Sequence, residues 1–321
     1  MVFKQAFQRL PPVARRDAVI EALLVERGQA SFFYKLREAK RVRQLQSPQD
    51  APAPVWELNN KASGYDFAHS HGVPIPRVYG QYADTADIDW TAAPAEFVIK
   101  MTQGTAAQAV WPLVRERDGY RDLLNGAPDV ISPDDLALRI DALHHDEDAT
   151  ILMEELLPAP GNSTLRVPPD YKLLCFHGVV GLITVIGRTQ RSGKRLGSRH
   201  FATDGTDLGN AVVDTLTNTR LPPPVHLKEL IAAGETLSAA IHSPFVRVDM
   251  YDTAKGIFFG EITPDPGGNH VMREDVDRYL GSLWESAQHQ LEQQAISVDI
   301  RKPVYGHHER RFPVVPLRAV P

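Results

Sequence analysis

Cysteine is nearly absent: Cys175 is the single one among 321 residues. That excludes an internal disulfide framework and a thiolate-rich zinc site. No stretch approaches the roughly 20 apolar residues that a bilayer span requires. The first nine residues carry Lys4 and Arg9 without an apolar run, so no secretory signal is read. A surplus of positive charge is also missing. Lys and Arg number 35 against 40 Asp and Glu, a formal charge of −5, which argues against a broad nucleic-acid footprint. There is no Gly-Lys-Ser/Thr phosphate loop, no Gly-x-Gly-x-x-Gly and no solenoid period. These absences leave a cytoplasmic protein acting on small molecules, with a homodimer open.

What is present is a mixed helix and strand pattern, with 25 prolines read as stiff connections. Two helices are expected within 11–46, the second a Lys- and Arg-rich stretch over 32–45, and a third over 61–71. From residue 95 strands dominate: 97–100, a hairpin over 109–124 turning at Asp118-Gly119, and 151–153 running into Glu154-Glu155. Ser132 is placed to cap a helix over 133–143. A hairpin over 170–188 turns at His177-Gly178, and 189–222 reads as polar, irregular loops. A helix over 225–241, a strand pair at 245–251 and 256–263, and a closing helix over 274–291 complete an α+β order.

The most informative stretch is Arg247-Val248-Asp249, followed twelve residues on by Glu261-Ile262-Thr263-Pro264. Residues i and i+2 of a strand share a face, so Arg247 and Asp249 point the same way. An antiparallel partner strand can bring Glu261 beside Asp249. Two carboxylates in an apolar setting repel unless a cation joins them, and Mg²⁺ favours one or two carboxylates plus phosphate oxygens. The plainer alternative is that Asp249 simply pairs with Arg247.

Two further pieces are weaker alone. Lys100 ends the Phe97-Val98-Ile99 run beside a small-residue loop holding Gly104, where an ammonium and backbone N–H groups can meet phosphate. Ile151-Leu152-Met153 leaves the apolar layer at Glu154-Glu155-Leu156-Leu157, an exit at which backbone groups can read an adenine edge. Cys175, within an apolar run, is read as an inert core thiol. Residues 144–148, His-His-Asp-Glu-Asp, are adjacent in a loop and do not converge on an ion. His307-His308 with Arg310 and Arg311 is read as a surface tail. Gly267-Gly268 either gives N–H groups to a substrate carboxylate or makes a simple turn.

In order, Lys61, Val-Ile-Lys100, Leu-Met-Glu154-Glu155, Asp170-Tyr-Lys172, Arg247-Val-Asp249 and Gly-Glu261-Ile-Thr263 resemble the ATP-grasp superfamily. More narrowly, Asp-Tyr-Lys before Cys-Phe-His-Gly, Phe-Val-Arg-Val-Asp-Met-Tyr and Phe-Gly-Glu-Ile-Thr-Pro-Asp-Pro-Gly-Gly resemble the branch named for teichuronopeptide biosynthesis. The resemblance runs from Lys61 to Trp284. It implies two α+β subdomains clasping ATP, at 61–157 and 158–295, after a helical region 1–60 and before a tail 296–321.

Carried over by position, the resemblance gives Lys61, Lys100 and Gly104 to the ATP phosphates. Glu154 faces the adenine amino group, with Glu155, Leu156 and Leu157 as hinge, and Asp170 lies on the ribose or phosphate side. Lys172, Arg188 and Arg247 meet the transferred phosphate and acyl group, while Asp249, Glu261 and Thr263 hold Mg²⁺. Thr263 stands where most relatives have Asn, with Asp265 close behind. The activity implied is ATP-dependent ligation of a small-molecule acid to an amine through an acyl-phosphate, in making a peptide-like metabolite or envelope polymer. A phosphotransferase and a non-catalytic nucleotide-binding protein are the alternatives.

Overall fold

The computed structural model describes residues 28, 30–45, 54–103, 109–124, 130–143, 149–160, 165–188, 195–213, 217–267, 271–295 and 304–315. Gly104, Gly268, the helix expected before residue 28 and the 144–148 run lie outside them.

The chain forms two antiparallel five-stranded sheets. The first has spatial order β1-β5-β2-β3-β4, from β1 (Val78–Tyr82), β2 (Glu96–Met101), β3 (Val110–Glu116), β4 (Gly119–Asp122) and β5 (Ile151–Glu155). Its outer face carries Phe97, Ile99, Leu113, Ile151 and Met153, covered by Leu136 and Ile140 of a helix at Pro133–Asp141. Ser132 caps that helix, its hydroxyl accepting from the Asp135 N–H. The alternation leaves Val98, Lys100 and Glu154 on the inner face.

The second sheet has order β10-β9-β6-β7-β8, from β6 (Asp170–Cys175), β7 (Val180–Arg188), β8 (Arg195–Phe201), β9 (Val246–Thr253) and β10 (Gly256–Thr263). β6 and β7 join through a two-residue turn in which His177 and Gly178 have φ of 43° and 92°, the geometry that matches the strands' twist. One face, with Tyr171, Leu173, Cys175, Val248 and Met250, packs under a helix at Leu227–Ala239. The other face is closed at one end by the N-terminal helix α1 (Phe32–Leu45) and the closing helix (Glu274–Ala295), through Phe32, Phe176, Phe245 and Trp284.

Two elements depart from expectation. β8 lies inside 189–222, which was expected to be irregular: its Arg-Leu-Gly-Ser-Arg-His-Phe sequence has little apolar alternation and is held by pairing to β7. β1 was not expected either, because Val-Tyr-Gly-Gln-Tyr is too short to announce itself without its partner β5.

Helix α2 (Lys61–Ser70) precedes the first sheet in sequence yet packs on β10 of the second, where a Cβ on Gly64 would stand 3.4 Å from the Phe259 ring. Residues 304–315 run along α2. His308 N–H donates to the Ser70 carbonyl, Phe312 N–H to the Asp66 carboxylate and Val315 N–H to the Val78 carbonyl. This tail is thus a bound strap, though most of its side chains are exposed.

Candidate active site

One cleft of about 840 Å³ opens where the two inner faces meet. Its floor is a row across the second sheet, in register from Glu261 on β10 through Asp249, Lys172 and Thr184 to His200 on β8. Arg247 and Tyr251 flank Asp249 along β9, and Asp170 flanks Lys172 along β6; all five line the cleft. The opposite wall carries Lys100 and Glu154, and α2 brings in Lys61.

A bulge puts Glu261 in this row. Phe259 pairs with Met250 on the packed face, and Glu261 pairs with Asp249, so Gly260 is an extra residue. Regular pairing would have set Glu261 opposite Val248, facing the core. A Cβ on residue 260 would lie 3.0 Å from the Asp249 carbonyl oxygen, which is why glycine suits the position.

The two acids are already surrounded by cations. Arg247 donates from Nε to Asp249 Oδ1 at 2.5 Å and from Nη2 to Asp249 Oδ2 at 2.7 Å, to Thr263 Oγ1 at 2.9 Å and to Glu261 Oε1 at 3.4 Å. Lys172 donates to Asp249 Oδ2, and its ammonium is 3.9 Å from Asp170. Lys61 approaches Glu261 at 4.0 Å. Burial would lift the Asp249 carboxyl, but Arg247 and then Lys172 outweigh it and hold the carboxyl low. For Glu261 the balance is reversed: burial, and then the charge of Asp249, push its carboxyl up. Burial draws the Lys61 ammonium down against the pull of Glu261.

A family model described as TupA-like ATP-grasp matches residues 39–285. The chain belongs to the TupA-like ATP-grasp family. Its fold is accordingly the α+β ATP-grasp fold, and the motif order that suggested it lies within the matched span. Similar solved structures include a D-cycloserine synthetase, at 16% identity over 78% of each chain with a TM-score of 0.44. An L-amino acid ligase from Bacillus licheniformis is 13% identical over 90% of this chain and 64% of that one, with a TM-score of 0.47. A RiPP-associated ATP-grasp ligase from Chryseobacterium gregarium, in complex with ADP and a leader and core peptide, is 12% identical over 79% and 65%, with a TM-score of 0.40. The chain therefore spans less than two thirds of the length of two of these three. No curated protein matches it significantly.

Within this ATP-grasp chain the residues singled out from sequence are mostly brought together. Lys61, Lys100, Glu154, Glu155, Leu156, Leu157, Asp170, Lys172, Arg247, Asp249, Glu261 and Thr263 all line the cleft. Arg188 ends β7, and its side chain is outside the described atoms. Three acids have protein partners of their own. The Glu154 carboxylate does not point at an open adenine site: Oε1 is 2.9 Å from Lys100 and Oε2 accepts from the Tyr65 hydroxyl at 2.8 Å. Glu155 accepts from Lys255 at 3.1 Å and from the Arg77 N–H at 3.0 Å. Asp265 pairs with Arg43 at 3.2 Å and Lys40 at 3.3 Å, which ties the strand exit to α1.

Sequence reading missed several lining residues. Trp56, with Arg43 stacked 3.8 Å over its ring, lines the cleft, and Thr184, His200 and Tyr251 extend its floor. Tyr65 was missed although it stands four residues after Lys61, one helical turn along the same face. Cys175 is the core thiol expected: it is buried, and burial pushes the thiol's pKa well above its ordinary value. Among the described residues no helix is long and apolar enough to cross a membrane, and no three His, Cys, Asp or Glu side chains cluster as a metal site.

Proposed function

We propose that this chain is an ATP-dependent carboxylate–amine ligase acting on a small or peptide-like acid. The observation that carries the reading is the register of Asp249 with Glu261, beside Lys172 and Arg247, in the one cleft that also holds Lys61 and Lys100. The proposed subdomains, 61–157 and 158–295, part between β5 and β6, where the chain passes from one sheet to the other at Leu156-Leu157.

Lys61 and Lys100 bind the nucleotide phosphates from the wall facing the row, and Leu156-Leu157 supply backbone groups to the base. Asp249 and Glu261 fit Mg²⁺, offering hard oxygens on one face, with Thr263 Oγ1 beside them. Glu261, raised by burial and by Asp249, has negative charge in want of a further counter-ion. When bound there, Mg²⁺ supplies charge neutralisation at phosphate oxygens. An oxygen of the acid's carboxylate forms a bond to the γ-phosphorus as the bond to ADP breaks. The amine nitrogen then forms the C–N bond as phosphate leaves, and one N–H proton goes to solvent. Arg247 and Lys172, fixed by Asp249, hold the positive charge that faces the developing oxyanions. Arg188 is proposed to join them from the end of β7.

ADP release tests this, with candidate acids supplied with and without amines. ADP formed only when acid and amine are both present supports ligation. ADP formed with the acid alone, together with a stable phosphorylated product, makes the chain a phosphotransferase. ATP bound without turnover across all acceptors makes it a nucleotide-binding protein.

A further inference from the structure

Lys100, Glu154 and Tyr65 close a buried ring of polar atoms at the wall of the cleft. Glu154 and Lys100 are 4% and 3% exposed, and Tyr65 is fully buried. The Tyr65 hydroxyl donates to Glu154 Oε2 at 2.8 Å and accepts from Lys100 Nζ at 2.5 Å, while Glu154 Oε1 lies 2.9 Å from the same ammonium. The ammonium also sits 4.5 Å from the centre of the Tyr65 ring. Burial first, and then the Glu154 charge, push the pKa of the phenol well above its ordinary value, so it stays protonated and a donor.

We infer that Tyr65 is a positioning residue for Lys100, holding its ammonium at the nucleotide phosphates through this ring. The inference rests on the proposal that the cleft binds ATP. A lysine ammonium has three donors. Two are used within the ring, and the third is left for the cleft that Lys100 lines. Tyr65 fixes this division by occupying Glu154 Oε2. Without the hydroxyl, that buried oxygen has, among the described residues, no donor but the ammonium itself, which Glu154 then draws away from the phosphates. The ring of Tyr65 is pinned from two sides, edge to face with Phe259 of β10 at 5.9 Å and with Phe312 of the strap at 5.8 Å. One side chain thus connects the phosphate lysine on the first sheet, the strand bearing Glu261 and the strap over α2.

The test compares binding of ATP and adenosine to the full chain, wild type against Tyr65→Phe. Lys100 acts on phosphate, so ATP affinity is expected to fall about tenfold, the scale of one charge-assisted hydrogen bond, with adenosine affinity unchanged. Equal loss for both ligands, the mark of a merely structural role, overturns the inference, as does undiminished ATP binding. Absence of ATP binding to the wild type would instead remove the nucleotide reading on which it rests. If Tyr65→Phe does not fold, Phe312→Ala unpins the same ring from outside the cleft. It is then expected to weaken ATP by about threefold and leave adenosine alone; no change, or equal change for both ligands, overturns the proposal.

Discussion

At the scale of single residues, Asp249 and Glu261 look equivalent in sequence and are physically unlike. Asp249 is 4% exposed and anchors both Arg247 and Lys172, so removing its charge leaves two part-buried cations without their main partner. The Glu261 side chain is 34% exposed, and its pairs with Arg247 and Lys61 are longer, at 3.4 and 4.0 Å. Asp249→Asn is expected to lower stability by about 3 kcal/mol, the scale of breaking a buried pair, and to abolish ADP release. Glu261→Gln removes repulsion and is expected to leave the melting temperature unchanged or raised, while turnover falls about a hundredfold or more. Melting curves beside ADP-release rates check the contrast, and equal destabilisation by both changes would contradict it. Arg247 and Asp249 were legible as neighbours because strand periodicity puts them on one face, whereas the place of Glu261 beside them rests on the bulge at Gly260. Which of two alternatives held, acids joined by a metal ion or an Arg–Asp pair, was not legible: the Arg247–Asp249 pair is present, with Arg247 reaching Glu261 and Thr263 as well, and the metal belongs to the proposed function.

Among elements, most of the helices and strands expected from periodicity were read correctly. The α1 helix matched residue for residue and the 177–178 turn fell where expected, while the first hairpin turns at 117–118, one residue before the expected 118–119. β8 and β1 were lost because each owes its conformation to a neighbouring strand and not to its own side chains. The bulge at Gly260 belongs to the same class, since a single glycine in a strand does not declare on which side the extra residue falls. Gly260→Val would place a branched side chain against the Asp249 carbonyl, where even a Cβ stands at 3.0 Å. The register of Glu261 should then slip, with ADP release down about tenfold or more and a smaller loss of melting temperature, as expected when a bulge that aims a site residue is disturbed. Full activity in a folded Gly260→Val protein would show that the row tolerates the slip.

For the whole molecule, the strap 304–315 ties distant parts of the chain together. It bonds to Ala240 beyond the helix of the second sheet, to Ser70 and Asp66 of α2, and to Val78 at the edge of the first sheet. His71 lies beneath it, its Nε2 3.0 Å from the Val304 carbonyl oxygen. Burial first, and then like charge from His307 and His308, hold the His71 imidazole below its ordinary 6.5, despite the opposing pull of that carbonyl. The folded state therefore binds fewer protons at this site than the unfolded chain. Its contribution to stability is complete above 6.5 and is lost as the pH falls from there through the lower folded value. Melting temperature should drop on acidification through this range, and drop less steeply in His71→Gln. Parallel slopes for the two proteins would clear His71 of any part in the acid sensitivity.

The sequence by itself determined the α+β class, the order of the ATP-grasp motifs and the chemical character of the cleft. Those follow from local periodicity and from which residue types can neutralise phosphate. Only the tertiary structure decided that α2 lies on the second sheet, that Glu154 is committed to Lys100 and Tyr65, and that a one-residue bulge turns Glu261 toward Asp249. Each of these depends on pairings between residues far apart in the chain. A side chain's local pattern states which face it takes, and its partner strand or helix states what it meets there.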